Sequence, residues 1–400
     1  MRFAFYCRSL RHSGGRAVAL GLLEQIAQHG RGHEWLALVP DDAGYRALQG
    51  SSFRASYRNV GRGALRAIAL GTLGRELRAF GPDALANLGS LACRTAPCPQ
   101  AVLVQNAWMV TRDPVVWRML AWRERAYYAA RAVAQRRALH RADCVLVQTP
   151  AMAIQVHRVV GIPLERIGIV PHAVNPDADA GARRDRALPI PASRHSFRAL
   201  CLARYFPHKN LEVLLAASDD LVRRGRTDIG IVTTVGEDQG AGARPFVAGV
   251  ARRRGAVLVN AGPVPTESVR ACHDSVDAMV LPSLIESFSG AYPDAMAAGK
   301  PIITSDRDFA RVVCADAALY VDPLSPRAIA DALCALADDP ALRCRLVDEG
   351  ARRLRKLALS WRDASNALVD TLERLATRRP LPDIRRHPWF EEYAGAGGSL

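Results

Sequence analysis

Short apolar runs alternate with longer helical stretches along most of this chain, and the series starts twice. The first set of runs lies at residues 3–6, 35–39, 84–87, 101–105, 144–148 and 167–170. The second lies at 199–203, 229–235, 256–259, 278–281, 302–304 and 318–321. Short runs without polar alternation read as strands buried on both faces. Residues 17–29 form the clearest intervening helix, after a tight Ser13-Gly14-Gly15 loop. Strand–helix alternation of this kind builds a parallel sheet with helices on both faces. Between the two series, residues 175–198 carry Pro176, Pro189 and Pro191 among Asp, Arg and Ala, the composition of a linker.

The expected fold is therefore α/β, with two Rossmann-like domains facing each other across a cleft. The expected boundaries are 1–176, a linker at 177–198, 199–360, and a C-terminal helix and tail over 361–400. A chain of 400 residues suits two such domains, and 49% hydrophobic residues supply two cores. Ligands of open α/β sheets bind beyond the carboxyl ends of the strands, so the loops there are where chemistry is expected.

The formal charge is +15. A basic balance suits nucleic acid, a membrane surface or anionic substrates. It also has a compositional reading: the only lysines are Lys209, Lys300 and Lys356, and the Arg and Ala content is high. No recognisable nucleic-acid module accompanies the charge, so no nucleic-acid partner is expected. The nine cysteines are scattered, odd in number and without zinc spacing, which points to a reducing compartment. The N-terminal apolar run is too short for a signal peptide, and no uncharged stretch approaches the roughly 20 residues of a membrane span. The expected location is the cytoplasm.

Two loops carry chemistry. Arg204-Tyr205-Phe206-Pro207-His208-Lys209-Asn210 follows a strand and precedes a helix from about Leu211. Two cations at the start of a helix can converge on one anion and suit a diphosphate. They also suit a solvated surface loop. Residues 282–301 follow a later strand and place Glu286 and Asp294 on either side of a small-residue loop containing Ser289 and Gly290. Carboxylates accept from sugar hydroxyls, and small residues leave backbone N–H groups open to a close ligand. The plain alternatives are a cap or salt bridge for Glu286 and a first-turn charge for Asp294. A helix is expected from Tyr292 or Pro293, ended by Gly299.

Together these segments resemble the donor-binding half of glycosyltransferase family 4, which has the GT-B fold. Arg204, Lys209 and Asn210 match its first motif. Glu286, Ala295, Met296, Gly299 and Pro301 match its second, where Asp294 stands in place of the usual second Glu. The resemblance covers residues 199–325 well and the N-terminal half loosely, through the Gly14-Gly15 loop. It implies retaining, metal-independent transfer from a nucleotide sugar such as a GDP- or UDP-sugar, with no resident cofactor. Arg204 and Lys209 would hold the diphosphate, Glu286 the sugar hydroxyls, and Phe288, Ser289 and Gly290 the sugar or phosphate. Asp294 would take the ribose, Gly15 would admit the phosphate, and Gly262-Pro263-Val264 would lie near the base. The C-terminal helix would cross back to the first domain.

Many family members carry a His after a strand of the first domain. Here that region reads Gln105-Asn106-Ala107-Trp108, so Asn106, His172 and His12 are the candidates for sugar or acceptor contact. Residues 114–141 read as one long helix with Trp117, Trp122, Tyr127 and Tyr128 among arginines, suited to an anionic membrane or to plain solvation. The expected function is hexosyl transfer to a glycan or lipid-linked acceptor in cell-surface polysaccharide or lipopolysaccharide assembly, with peripheral association at the cytosolic face of the inner membrane. A non-catalytic sugar-nucleotide-binding subunit and a same-fold epimerase remain as alternatives.

Overall fold

The structure, a computed structural model, describes residues 1–11, 13–30, 32–48, 53–57, 74–173, 190, 195–253, 257–357 and 360–395. The chain divides into two units. The first comprises Met1–Pro114, Ala121–Ala173 and Leu359–Leu400, and the second Val115–Leu120 and Val174–Ala358.

The first unit holds β1 (Arg2–Tyr6), β2 (Glu34–Val39), β3 (Phe53–Tyr57), β4 (Ala84–Asn87), β5 (Gln100–Leu103), β6 (Cys144–Val147) and β7 (Ile167–Ile169). They form one seven-stranded sheet in the order β3-β2-β1-β4-β5-β6-β7, with every pairing parallel. β4 and β6 are buried at every position, as strands covered on both faces must be. β3 was absent from the sequence expectation because its segment, Phe-Arg-Ala-Ser-Tyr, has no apolar run. It is an edge strand with two exposed positions and needs none.

Helix α1 (Ser13–His29) starts earlier than expected, so Gly14 and Gly15 form its first turn rather than a separate loop. The single helix expected over 114–141 is broken. A short helix Pro114–Arg118 ends, Ala121 is extended (φ −56°, ψ 153°), and α2 (Trp122–Leu139) begins. No Gly or Pro marks the break; Leu120 is 3% exposed there, and its burial overrides local helix preference. In the C-terminal helix Trp361–Ala376, Ala364, Leu368, Val369 and Leu372 share a core with Phe3, Phe5, Leu22, Leu23 and Trp35. Trp361 seats against α1 at Gly21, where a Cβ would lie 2.5 Å from the indole. Only glycine allows that approach.

The second unit holds β8 (Phe197–Cys201), β9 (Ile229–Thr233), β10 (Leu258–Asn260), β11 (Ala278–Leu281), β12 (Ile302–Ser305) and β13 (Ala318–Val321). Its six-stranded parallel sheet runs β10-β9-β8-β11-β12-β13. Helices α3 (Glu212–Arg223) and α4 (Ala291–Ala297) follow β8 and β11. Most of the expected linker, together with His12, lies outside the described residues; Ile190 packs with Leu200, Val232, Cys272 and Val276. In each sheet the winding reverses beside the first strand, between β1 and β4 and between β8 and β11. Such a switch point opens a crevice at the carboxyl ends of the two strands. Among the described residues, no helix is long and apolar enough to cross a membrane.

Candidate active site

The loops after β8 and β11 flank the switch point of the second sheet, and they are tied together. Pro207 opens a single 3-10 turn, Pro207–Lys209, which Asn210 closes in the left-handed region (φ 53°, ψ 40°). Asn tolerates that backbone better than most side chains. Its amide, 4% exposed, donates from Nδ2 to the carbonyls of Pro323 at 2.7 Å and Pro282 at 3.3 Å. The Leu284 N–H donates to the His208 carbonyl at 2.8 Å. These bonds bring Lys209 Nζ to 2.5 Å from Glu286 Oε1, with side chains 15% and 9% exposed. Desolvation on this scale is tolerable only while each charge keeps its partner. Arg204 is exposed and pairs with no carboxylate among the described residues. Burial pushes the His208 imidazole down to about 4, so it is neutral at pH 7.

Helix α4 presents the rest of the second motif. Tyr292 and Thr304 share a hydroxyl hydrogen bond of 2.8 Å, and Thr304 Oγ1 donates to the Leu281 carbonyl at 3.1 Å, pinning the helix to the end of β11. At its other end Lys300 N–H donates to Ala295 O, Gly299 N–H to Met296 O, and Gly299 takes φ 64°. That is a Schellman stop, as the Gly-Lys-Pro sequence implies. Ser289 is buried just before the helix, while Phe288 and Gly290 are partly buried. Asp294 sits in the first turn, and burial pushes its carboxyl up to about 7. Gly262 takes φ 80° in the loop after β10.

In the first unit, Gly15 lies in the first turn of α1. A Cβ there would come 3.1 Å from Leu10 Cδ2 and 3.5 Å from Gln105 Oε1. Asn106 is engaged at both ends: Nδ2 donates to Gln135 Oε1 at 2.7 Å, and Oδ1 accepts from Trp108 N–H at 3.2 Å. His172 packs edge-on against Trp361, ring centres 5.3 Å apart, and burial pushes it down to about 4. Among the described residues, no group of three or more His, Cys, Asp or Glu is placed to hold a metal ion.

Residues 12–178 match Glycosyltransferase Family 4, and residues 196–339 match Glycosyl transferases group 1. The chain belongs to glycosyltransferase family 4. The D-inositol 3-phosphate glycosyltransferase of Xylanimonas cellulosilytica is 30% identical over 268 residues, 62% of this chain and 61% of that protein. The chain thus spans less than two thirds of that relative's length. Sucrose-phosphate synthase from Thermosynechococcus elongatus has a similar structure, with a TM-score of 0.71 at 17% identity, covering 94% of this chain and all (100%) of the other. Anabaena Alr3699/HepE in complex with UDP and glucose gives 0.67 at 12% identity, again over 94% and 100%. At such identities the likeness shows the fold, which is GT-B.

Of the residues the motifs single out in this chain, Lys209 and Glu286 touch; Ser289, Gly290 and Asp294 lie at the start of α4, in the loop and helix that follow β11. Gly15, Asn106 and His172 belong to the first unit. Sequence reasoning passed over Gln105, the side chain that the structure sets beside Gly15. Its Nε2 donates to the Leu88 carbonyl at 3.0 Å, and its N–H donates to Ser90 Oγ at 2.8 Å. The available signal was its position two residues past the end of β5.

Proposed function

We propose that this transferase moves a hexose-type sugar, with retention, from a nucleoside diphosphate sugar to a glycan or lipid-linked acceptor in cell-surface polysaccharide or lipopolysaccharide assembly. The observation that supports this best is the Lys209–Glu286 pair at the β8–β11 switch point. A cation for a diphosphate and a carboxylate for sugar hydroxyls are held side by side, each partly shielded from water. As the bond to the leaving diphosphate breaks, negative charge grows on its oxygens. Lys209 and the exposed Arg204 stabilise that charge, and fixed charges in a shielded site act strongly. The leaving phosphate takes the acceptor proton, so the reaction needs neither an enzymic nucleophile nor a metal ion. HepE binds UDP and glucose, which fits a UDP-sugar; GDP-sugars fit the same chemistry.

A thermal-shift panel of UDP-, GDP-, ADP- and dTDP-sugars, with and without EDTA, tests this. A ligand at 100 times its Kd stabilises by about 2.7 kcal/mol. One nucleotide class should shift the melting temperature, insensitively to EDTA, and the shift should vanish in Lys209→Ala. No shift with any donor would overturn the reading.

Asp294 adds a pH signature. Its carboxyl is raised to about 7 in the fold, so the folded chain holds a proton that the unfolded chain, with an ordinary carboxyl near 4, releases. The resulting stability is full below about pH 4 and is lost as pH rises toward about 7. Binding of ribose hydroxyls favours the ionised carboxylate, so donor affinity should rise over the same interval. Asp294→Asn should flatten both trends, raising the melting temperature more at about pH 8 than at about pH 5. Unchanged pH profiles would count against Asp294 as the group responsible.

The exposed face of α2 carries Trp122, 72% exposed, and Tyr127, 55% exposed, beside Arg123 and Arg125. We propose that this face supports peripheral association with an anionic bilayer at the cytosolic side of the inner membrane. Failure to sediment with anionic vesicles at low salt would remove that part of the proposal.

A further inference from the structure

The fold holds the two cations of the loop after β8 by different means. Lys209 has Glu286 at 2.5 Å and stands in a turn that Asn210 closes. Arg204 is exposed, lies in irregular chain between β8 and that turn, and meets no carboxylate among the described residues. Its neighbours on both sides are nonetheless fixed, by side chains of the loop after β9. The Ala203 N–H donates to Thr234 Oγ1 at 3.2 Å, and that hydroxyl donates to the Ala203 carbonyl at 3.5 Å. The Tyr205 N–H donates to Gln239 Oε1 at 2.8 Å. Where no regular element takes the backbone groups beside Arg204, the next strand's loop takes them instead. Tyr205 is also anchored by its ring: Oη donates to Glu212 Oε1 of α3 at 2.5 Å, and a Cβ on Gly242 would lie 2.1 Å from Oη. The loop after β9 has its own support. Asn260, at the end of β10, accepts from the Val235 N–H at 2.9 Å and donates to the Val235 carbonyl at 2.9 Å. The Gln239 N–H donates to the Gly236 carbonyl at 3.2 Å, closing a tight turn. Side chains thus stitch the three loops together in the sheet order β10-β9-β8.

We propose that Thr234 and Gln239 are positioning residues for the donor diphosphate: they set the backbone on either side of Arg204 and so aim its guanidinium at the leaving phosphate. This rests on the transferase reading, in which Arg204 holds the diphosphate, and it adds two residues that neither donor motif contains. A guanidinium fork matches phosphate oxygens only when its planar donors are aligned. Ordering a free arginine side chain costs about 2 kcal/mol of rotamer entropy. No acid restrains Arg204, so the direction in which its side chain leaves the backbone is what the fold can fix. Thr234 and Gln239 do that from 31 and 34 residues along the chain from the groups they hold. Both act on the donor through Arg204.

The test titrates UDP, GDP, ADP and dTDP calorimetrically into the full chain and its variants, with melting temperatures to show that each variant is folded. Arg204→Ala should weaken whichever nucleoside diphosphate binds by about tenfold or more, the loss expected for one charged hydrogen-bonding group. Thr234→Val and Gln239→Ala together should weaken it about fivefold or more while Arg204 is present. Thr234→Ser, which keeps the hydroxyl, should restore the share lost in Thr234→Val. With Arg204→Ala already in place, the same two substitutions should change affinity by less than about twofold, because the side chain they position is gone. Equal losses in the two backgrounds would make Thr234 and Gln239 general supports of the domain and overturn the proposal. Unchanged affinity in Thr234→Val with Gln239→Ala overturns it as well. Binding that Lys209→Ala abolishes but Arg204→Ala leaves intact removes the proposal and keeps the transferase reading. Failure of all four nucleotides to bind the unsubstituted chain removes the transferase reading and this inference with it.

Discussion

Lys209→Ala should lower turnover by roughly 10²–10³, and Glu286→Gln should split two quantities that ordinarily move together. The two side chains now neutralise each other at 2.5 Å, 15% and 9% exposed. In the proposed reaction, removing the lysine takes a fixed positive charge from the place where the leaving diphosphate would become more negative. Losses of that order are usual for one preorganised group. It also strands the Glu286 carboxylate, so stability should fall by up to about 3 kcal/mol, the lower end for a broken buried pair. Glu286→Gln keeps the shape and frees the lysine charge. A nucleoside diphosphate without its sugar should then bind several-fold more tightly, because Lys209 no longer leaves a carboxylate to meet it. Turnover of the intact donor should still fall, because the sugar hydroxyls lose a charged acceptor. Calorimetric titration of UDP and GDP, set against steady-state rates for both variants, reads the split. If both variants weaken the free diphosphate alike, the pair does not share one anion site.

This pair also marks how far the sequence could be read. Gly299, Lys300 and the α4 stop were legible because a Schellman turn is made by neighbours in the chain. The buried strands were legible because each is a continuous apolar run. Contact between Lys209 and Glu286, 77 residues apart, is a matter of strand order; alternation alone does not say that β8 lies beside β11. Elements half open to water left weaker marks. β3 has exposed positions and no apolar run, and the break before Trp122 has no Gly or Pro. Asn106 looked free to meet a sugar, yet tertiary structure gives its amide to Gln135 and Trp108. Gln105, beside Gly15, carried no mark beyond its position.

Asn210→Ala should be among the most damaging substitutions that remove no charge. The asparagine does two things at once. Its backbone takes φ 53°, a left-handed conformation that Asn adopts more readily than alanine does. Its Nδ2 serves the carbonyls of Pro282 and Pro323, at the start of the Glu286 loop and just past β13. Losing a buried donor leaves each acceptor short by about 1–3 kcal/mol. The combined loss should reach about 3–4 kcal/mol, with turnover falling further than donor affinity. The reason is positional: Lys209 is the adjacent residue, and displacing a catalytic group by about 1 Å can cost about 10²-fold. Asn210→Gly separates the two roles, since glycine accepts the left-handed backbone but donates nothing to the carbonyls. It should recover about 1 kcal/mol relative to alanine and little of the turnover. Asn210→Asp should be worse than glycine, because a carboxylate would face two carbonyl oxygens. Urea unfolding and steady-state rates on the three variants decide the matter. If Asn210→Gly matches the unsubstituted chain in both, the left-handed backbone is all that Asn210 supplies, and the Glu286 loop is held by the Leu284–His208 bond instead.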